Sequence, residues 1–273
     1  MKISKVVNAL EQFAPLPLQE DYDNAGLQIG LTEAEVSGAL LCLDVTEQVV
    51  DEAISLGCNL IVSHHPLIFH KLRRITGEDY VQRTVMKAIE NHVAIVSMHT
   101  NLDCARGGVN YKIAEKLGLA NLRFLGKQAT VETKGNDSPE STVMVDGGEG
   151  VIGELPEPLT ADDFIILLKQ QFGVECVMAN QLLRRSIRKV ALCGGAGSFL
   201  MPQAIAKEAD AFVTGEMHYH EYFGHDQELQ IAVIGHYQSE QYTCEIFREV
   251  IARECPGVKC FITSVNTNPI IYL

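Results

Sequence analysis

A chain of 273 residues with 47% hydrophobic content is long and apolar enough to bury one large or two medium cores, which excludes a disordered chain. The formal net charge of −13, from 22 Lys and Arg against 35 Asp and Glu, opposes a nucleic-acid backbone or an anionic lipid surface. Partners are therefore expected to be small molecules, or to be reached through metal.

The eight cysteines (Cys42, Cys58, Cys104, Cys176, Cys193, Cys244, Cys255 and Cys260) lack the paired short spacing of a structural zinc or thioredoxin site. They read as small buried hydrophobes in a reducing, cytoplasmic compartment. The N-terminal MKISKVVNALEQF spaces its apolar residues as a helix does and interrupts them with charge, so it is not expected to be a signal peptide. No stretch approaches the roughly 20 apolar residues of a membrane span.

From residue 38 to 46, GALLCLDVT has the pattern of a buried strand. VVDEAISLG then has helical spacing, and NLIVS is a second strand that runs straight into His64, a unit that makes parallel sheet. A helix is expected over residues 80–91 and a strand over 93–97, followed by a loop carrying His99 and Asp103, the glycines Gly107 and Gly108, and a further helix. Residues 127–140 are polar and turn-rich; VMVDGGEGVIGEL is expected to be a hairpin around Gly147 and Gly148, and residues 161–172 a helix.

The second half echoes the first. Shifting the sequence by 151 residues lays Cys42 on Cys193, Ala53 and Ile54 on Ala204 and Ile205, Val62 on Val213, and Ser63 on Thr214. Shifting it by 137 lays His99 on His236 and Asp103 on Glu240: a histidine, then a carboxylate four residues on, each time just after a hydrophobic strand. The expected architecture is α/β, with two similar lobes related by internal duplication, each a mixed or parallel sheet flanked by helices. The first lobe is expected over 1–127 and the second over 128–273, the latter beginning with a short connector (128–186) that supplies edge strands and a helix.

Ligands of α/β proteins gather at the carboxyl ends of parallel strands, and the chemically informative residues lie there. His64 and His65 follow the second strand directly, and Pro66 keeps His65 extended. Neighbouring side chains on extended chain point to opposite sides, so both serve one site only if it is wide or holds more than one ion. Asp103 follows the third strand, and His236 and Glu240, four apart at a helix start, share one face. Singly, each has a plain alternative: a hydrogen-bonded loop pair, an N-cap, a first-turn carboxylate. Together, His64, His65, Asp103, His236 and Glu240 form a metal-ligand set drawn from both lobes. Imidazole and carboxylate without thiolate suit zinc, iron, manganese, cobalt or nickel alike. His99 lies at the same edge, either orienting a ligand or coordinating itself.

TGEMHYHE places Glu216, His218 and His220 after another strand, as further ligands, as acid/base groups, or simply as a polar helix start. The stretch CGGAGSF lacks the lysine and spacing of a phosphate-cradling loop and reads as a structural turn. Lys71, Arg73 and Arg74, just past His64-His65-Pro66, are a solvated face or receivers of a substrate phosphate.

In combination, DNAGLQIG, SHHPLIF, HTNLD with GGVN after it, TGEMHYHE, GHYQSE and NTNPI span nearly the whole chain, which thereby resembles the Nif-three-like proteins, GTP cyclohydrolase I type 2 homologues. The resemblance implies two α/β lobes, a dinuclear site holding two divalent ions per subunit, and a toroidal hexamer. It implies metal ligation by His64, His65, Asp103, His236 and Glu240, with the glutamate touching both ions. The implied activity is metal-dependent hydrolysis of a nucleotide or related small molecule, with His99, His218, His220 and Glu216 as candidate catalytic groups; a metal-binding ring without turnover is the alternative. Two departures are visible: Tyr22 stands where the family usually has Trp, and Ala196 replaces a common Ser in the glycine turn. The connector is short, so the inserted domain of longer members is expected to be absent.

Overall fold

The computed structural model describes residues 1–134 and 142–271. The chain runs α1 (Ile3–Phe13), β1 (Gly26–Ile29), β2 (Ala39–Cys42), α2 (Glu47–Ser55), β3 (Leu60–Ser63), α3 (Tyr80–Glu90), β4 (Ala94–Ser97), α4 (Thr100–Cys104) and α5 (Val109–Lys116). It continues through β5 (Ala120–Phe124), β6 (Gln128–Lys134), β7 (Thr142–Gly148), β8 (Val151–Leu159), α6 (Ala161–Phe172), β9 (Met178–Ala179), β10 (Ile187–Cys193) and α7 (Met201–Ala206). It ends with β11 (Ala211–Thr214), β12 (Gln230–Val233), α8 (His236–Glu240), α9 (Thr243–Glu254) and β13 (Cys260–Ile262).

Two compact units form, one from Met1–Leu102, Val131–Val145 and Thr243–Leu273, the other from Asp103–Thr130 and Asp146–Tyr242. This corrects the expected division at residue 127. The C-terminal segment returns to the first unit because β13 pairs in parallel with β2, Phe261 opposite Leu40, and α9 packs on α1 and β2. Residues 103–127 belong to the second unit because β5 pairs with β8.

In the first unit five strands lie in the order β1-β4-β3-β2-β13. Every residue of β2, β3 and β4 is buried, which is why these segments read as unbroken apolar runs: a parallel strand covered on both faces has no solvent side to alternate with. Leu40, Ile61 and Ile95 form the core with Val49, Val50 and Ala53 of α2 and Val85 and Ala88 of α3. Both helices begin at a side-chain cap, Thr46 accepting from the Val49 amide and Asp79 from the Gln82 amide.

In the second unit the order is β5-β8-β10-β11-β12-β9, with β10, β11 and β12 parallel. Helix α6 starts where Thr160 caps the Asp163 amide and stops at Gly173, whose φ of 63° is the left-handed conformation of a C-terminal cap. The connector does supply β8, α6 and the edge strand β9, but the hairpin expected around Gly147 and Gly148 does not form. Strand β7 pairs with β6 as a two-stranded ribbon, while β8 inserts between β5 and β10. Residues 128–134, expected as loop, form β6 because Thr130, Val131 and Thr133 favour extended chain; the rest of that stretch, 135–140, lies outside the described residues.

The repeat is present in the register. Pairs Ala39 with Leu60 through Cys42 with Ser63 recur as Val190 with Ala211 through Cys193 with Thr214, all at the shift of 151 residues. Each parallel trio also carries an antiparallel strand beside its third member, β1 on β4 and β9 on β12.

Six of the cysteines are buried; Cys176 is exposed and Cys260 partly so, against the expectation that all are interior. Among the described residues, no helix is long and apolar enough to cross a membrane.

Candidate metal centre

The backbone at the end of β3 stays in the ladder: the His64 and His65 amides donate to the carbonyls of Cys42 and Leu43. Past Ser63 the chain bends, and the two adjacent rings come together rather than pointing to opposite sides, their centroids 4.9 Å apart. Each imidazole is then pinned through Nδ1. His64 Nδ1 lies 2.8 Å from the Met98 carbonyl, His65 Nδ1 2.7 Å from Asp44 Oδ1, and His99 Nδ1 2.8 Å from Asp23 Oδ1. Carbonyl and carboxylate oxygens only accept, so each Nδ1 donates. The three rings lie 4.9, 5.3 and 5.4 Å apart by their centroids, and all three offer nitrogens within 4.8 Å of one another. This is the arrangement by which ligating histidines are oriented, the distal nitrogen fixed by an acceptor behind it.

The anchors are themselves held. Burial raises the Asp23 carboxyl, but His99, two hydrogen bonds from Thr100 and the Asn24 amide outweigh it and bring it down to about 2. Asp44 is likewise pushed up by burial, yet His65, the Thr267 hydroxyl and His64 hold it below the usual carboxylate range. Both remain anionic acceptors at neutral pH. Neither was among the candidates singled out from sequence; the available signals were an Asp two residues past a strand end and the Asp of DNAGLQIG.

The second unit builds a more acidic set. At Gly235, with φ of 97°, the chain turns out of β12 into α8, where His236 and Glu240 stand one turn apart. His236 Nδ1 is 2.9 Å from Glu216 Oε1, and its Nε2 is 3.1 Å from Glu240 Oε2. Glu240 is buried, and Asp103 on α4 offers a carboxylate oxygen within 4.8 Å of it. Burial pushes the Cys193 thiol well above its usual value, reinforced by Asp103, Cys104, Glu240 and Glu149, so the negative charge is felt in the strand beneath. Two close carboxylates, one buried, are costly without a cation. Two donors bound to one ion at about 2.1 Å lie roughly 3.0–3.4 Å apart, and the His236–Glu240 spacing falls in that range. Nitrogen and oxygen donors on pre-oriented rings thus fit a divalent cation.

The glycine turn 194–197 is structural. The Gly194, Gly195 and Gly197 amides donate to Asn110 Oδ1, Ser239 Oγ and Thr214 Oγ1, so they are committed within the protein rather than turned to a phosphate. Asn110 in turn donates to the Asp103 carbonyl, and Ser239 to the His236 carbonyl, so the turn props both α4 and α8. Gly195 has φ of 56°, and a Cβ there would overlap the Glu240 carboxylate.

Glu216 therefore serves as the anchor of His236. His218 is spent on the turn that follows β11, where its amide donates to Glu221, and it is exposed. His220 is also exposed and packs edge-on against Tyr219. The structure thus gathers His64, His65 and His99 in one unit and Asp103, Glu216, His236 and Glu240 in the other, and gives His218 and His220 local roles.

Comparison with known proteins agrees with the motifs. The model of the family Duf34/NIF3 (NGG1p interacting factor 3) matches residues 1–269. A Clostridium perfringens protein named GTP cyclohydrolase 1 type 2 homolog is 35% identical over 243 residues, 88% of this chain and 87% of its own length. One from Lactococcus lactis with the same name is 30% identical over 98% of both chains. Among solved structures, a Bacillus cereus protein related to NIF3 aligns with a TM-score of 0.84 at 28% identity, covering 100% of this chain and 99% of its own. A Staphylococcus aureus protein aligns at 0.87 and 27% with the same coverage. On motifs, fold and full-length similarity together, this chain belongs to the Duf34/NIF3 family.

Proposed function

We propose that the chain is a metal-dependent hydrolase acting on a nucleotide-like small molecule, with His64, His65, Asp103, His236 and Glu240 as ligands of two divalent ions per subunit. The observation that carries this reading is the set of four histidines whose Nδ1 atoms are each tied to an acceptor, with Glu240 3.1 Å from His236 Nε2 and Asp103 close to Glu240. The names of the relatives point the activity toward GTP cyclohydrolase chemistry, in which a purine ring is opened at C8 and formate is released. A toroidal homohexamer in the cytoplasm is the proposed working form.

A bound pair of divalent ions supplies Lewis acidity and lowers the pKa of water held beside it. The chain's own part is positional. Asp44, Asp23 and Glu216 hold His65, His99 and His236 in place through Nδ1. His99 then takes up or returns a proton at Nε2 during hydrolysis, while Asp23 stabilises the charged ring.

The test is protein stripped of adventitious metal and reloaded with zinc, iron, manganese, cobalt or nickel singly, assayed for formate release from GTP and for phosphoester hydrolysis. Turnover with one ion supports the reading. Stoichiometric metal without turnover on either substrate favours a metal-binding scaffold. Glu240→Gln is expected to lower metal content together with any activity; unchanged occupancy removes Glu240 from the ligand set.

A further inference from the structure

The segment after His64-His65-Pro66 lines an open cavity of about 740 Å³ within the first unit, a volume in the range of small-molecule sites. Its lining carries Phe69, Lys71, Arg73 and Arg74, together with Glu78 and Asp79. Cations elsewhere on the neighbouring helix α3 are neutralised, Arg83 by Glu47 and Lys87 by Asp51. Lys71, Arg73 and Arg74 differ: among the described residues, none of the three is paired with a carboxylate. Asp79 is committed to the cap of α3, accepting from both the Gln82 amide and its side chain, which reduces its pull on those cations.

In a chain of net charge −13, three cations without an ion-pair partner among the described residues, set against Glu78 and Asp79 on the same lining, leave this cavity with a positive excess. Two of them are guanidinium groups, which match phosphate oxygens with paired donors. The cavity also abuts the histidine cluster. The exposed Phe69 ring lies 6.0 Å from the His99 ring and 6.4 Å from that of Tyr22, centroid to centroid, so an aromatic surface bridges the cationic wall and the reactive end. A flat heterocycle lies against such a face while its anionic tail extends toward the cations.

We infer that this cavity is the phosphate subsite of the substrate: Lys71, Arg73 and Arg74 bind the polyphosphate of a nucleotide whose base lies at Phe69, facing His99. The inference rests on the hydrolase reading above for the identity of the reacting end, and it assigns the substrate class as a nucleoside polyphosphate rather than a free base or nucleoside. The phosphates are held at a distance from the reacting ring and are not themselves cleaved.

Calorimetric titration of the full-length, metal-free protein tests it, with inorganic tripolyphosphate, GTP, guanosine and a single-stranded RNA oligonucleotide as probes. Tripolyphosphate and GTP are expected to bind, more weakly as salt is raised from 50 to 200 mM, and guanosine at least tenfold more weakly than GTP. The triple variant Lys71→Gln, Arg73→Gln, Arg74→Gln keeps the side-chain stems; it is expected to retain its circular dichroism spectrum and metal content and to lose at least tenfold in affinity for tripolyphosphate. His65→Ala, which strikes the metal reading, is expected to leave tripolyphosphate binding unchanged, so the two ideas fail separately. Wild-type protein that ignores tripolyphosphate, a triple variant that binds it equally well or sheds its metal, or an oligonucleotide that binds more tightly than GTP would overturn the assignment.

Discussion

Replacing Gly195 by alanine tests the geometry of the carboxylate cluster with one methyl group. The backbone at Gly195 has φ of 56°, and the added Cβ would overlap Glu240 Oε1 while lying 3.4 Å from His236 Nε2. A useful reference exists in the same unit: Gly118 has φ of 67° with nothing within 4 Å of its would-be Cβ. Both substitutions carry the cost of placing alanine in the left-handed region, about 1–2 kcal/mol. Only Gly195→Ala must also shift a buried carboxylate off its partners, roughly a further 1–3 kcal/mol. At about 2–4 °C per kcal/mol for a domain of this size, Gly118→Ala is expected to lower Tm by several degrees and Gly195→Ala by about twice as much. Metal content divides them further, since displacing a ligand is expected to weaken affinity at least as much as the roughly 10–100-fold typical of losing a supporting residue. Differential scanning calorimetry and metal analysis after dialysis against a graded chelator measure both. Equal melting losses with equal metal content would refute the claim that Gly195 is kept bare to seat Glu240.

Three other outcomes are expected. Asp44→Ala removes the acceptor behind His65 and should lower metal affinity by about 10–100-fold in chelator competition; unchanged affinity would mean that the orientation of His65 is irrelevant to binding. Glu52 ties down the C-terminal strap: burial raises its carboxyl, but the Ser264 and Thr263 hydroxyls outweigh that and hold it below 4.5. A depressed folded pKa gives stability that is present above about pH 4.5 and lost as pH falls through the folded value, so Glu52→Gln should flatten the decline in denaturant midpoint between about pH 5 and pH 3; an unchanged slope would contradict it. Thiol titration of the native protein should show Cys176 reacting fast and the six buried cysteines only on unfolding, since burial also raises thiols such as Cys42 and Cys244; several fast thiols would contradict the packing.

The strands β2, β3, β4, β11 and β12 were legible because burial on both faces writes itself as a continuous apolar run, and α6 was legible to the residue because Thr160 and Gly173 punctuate it. Strand β13 was not. Three residues, two of them exposed, carry no periodic signal, and only the pairing with β2 makes CFI a strand. Strand β5 is similarly hidden, its five residues mostly exposed and held by contact with β8. The same contrast holds at the candidate site. His64, His65, His99, Asp103, His236 and Glu240 stand at strand ends, where position alone marks them. Asp23 and Asp44 become significant only through hydrogen bonds spanning 76 and 21 residues, which no local pattern encodes.

The repeat explains why the two units offer different donors from one scaffold. At the shift of 151 residues, Asp44 falls on Gly195 and His65 on Glu216; at 137, His99 falls on His236. In both repeats the histidine after the third parallel strand is held through Nδ1 by a carboxylate, Asp23 for His99 and Glu216 for His236. What differs is the strand ends beside it. Where the first repeat has Asp44 pinning His65, the second has Gly195, whose missing side chain leaves room for the Glu240 carboxylate. The position of His65 is correspondingly taken in the second repeat by Glu216, the anchor of His236. One missing side chain and one carboxylate in place of an imidazole thus separate the imidazole-rich cluster of the first unit from the acidic cluster of the second. Neutral imidazoles alone leave a dication's charge uncompensated, and carboxylates alone repel one another until a cation arrives. Each repeat thereby presents a different donor set at equivalent strand ends.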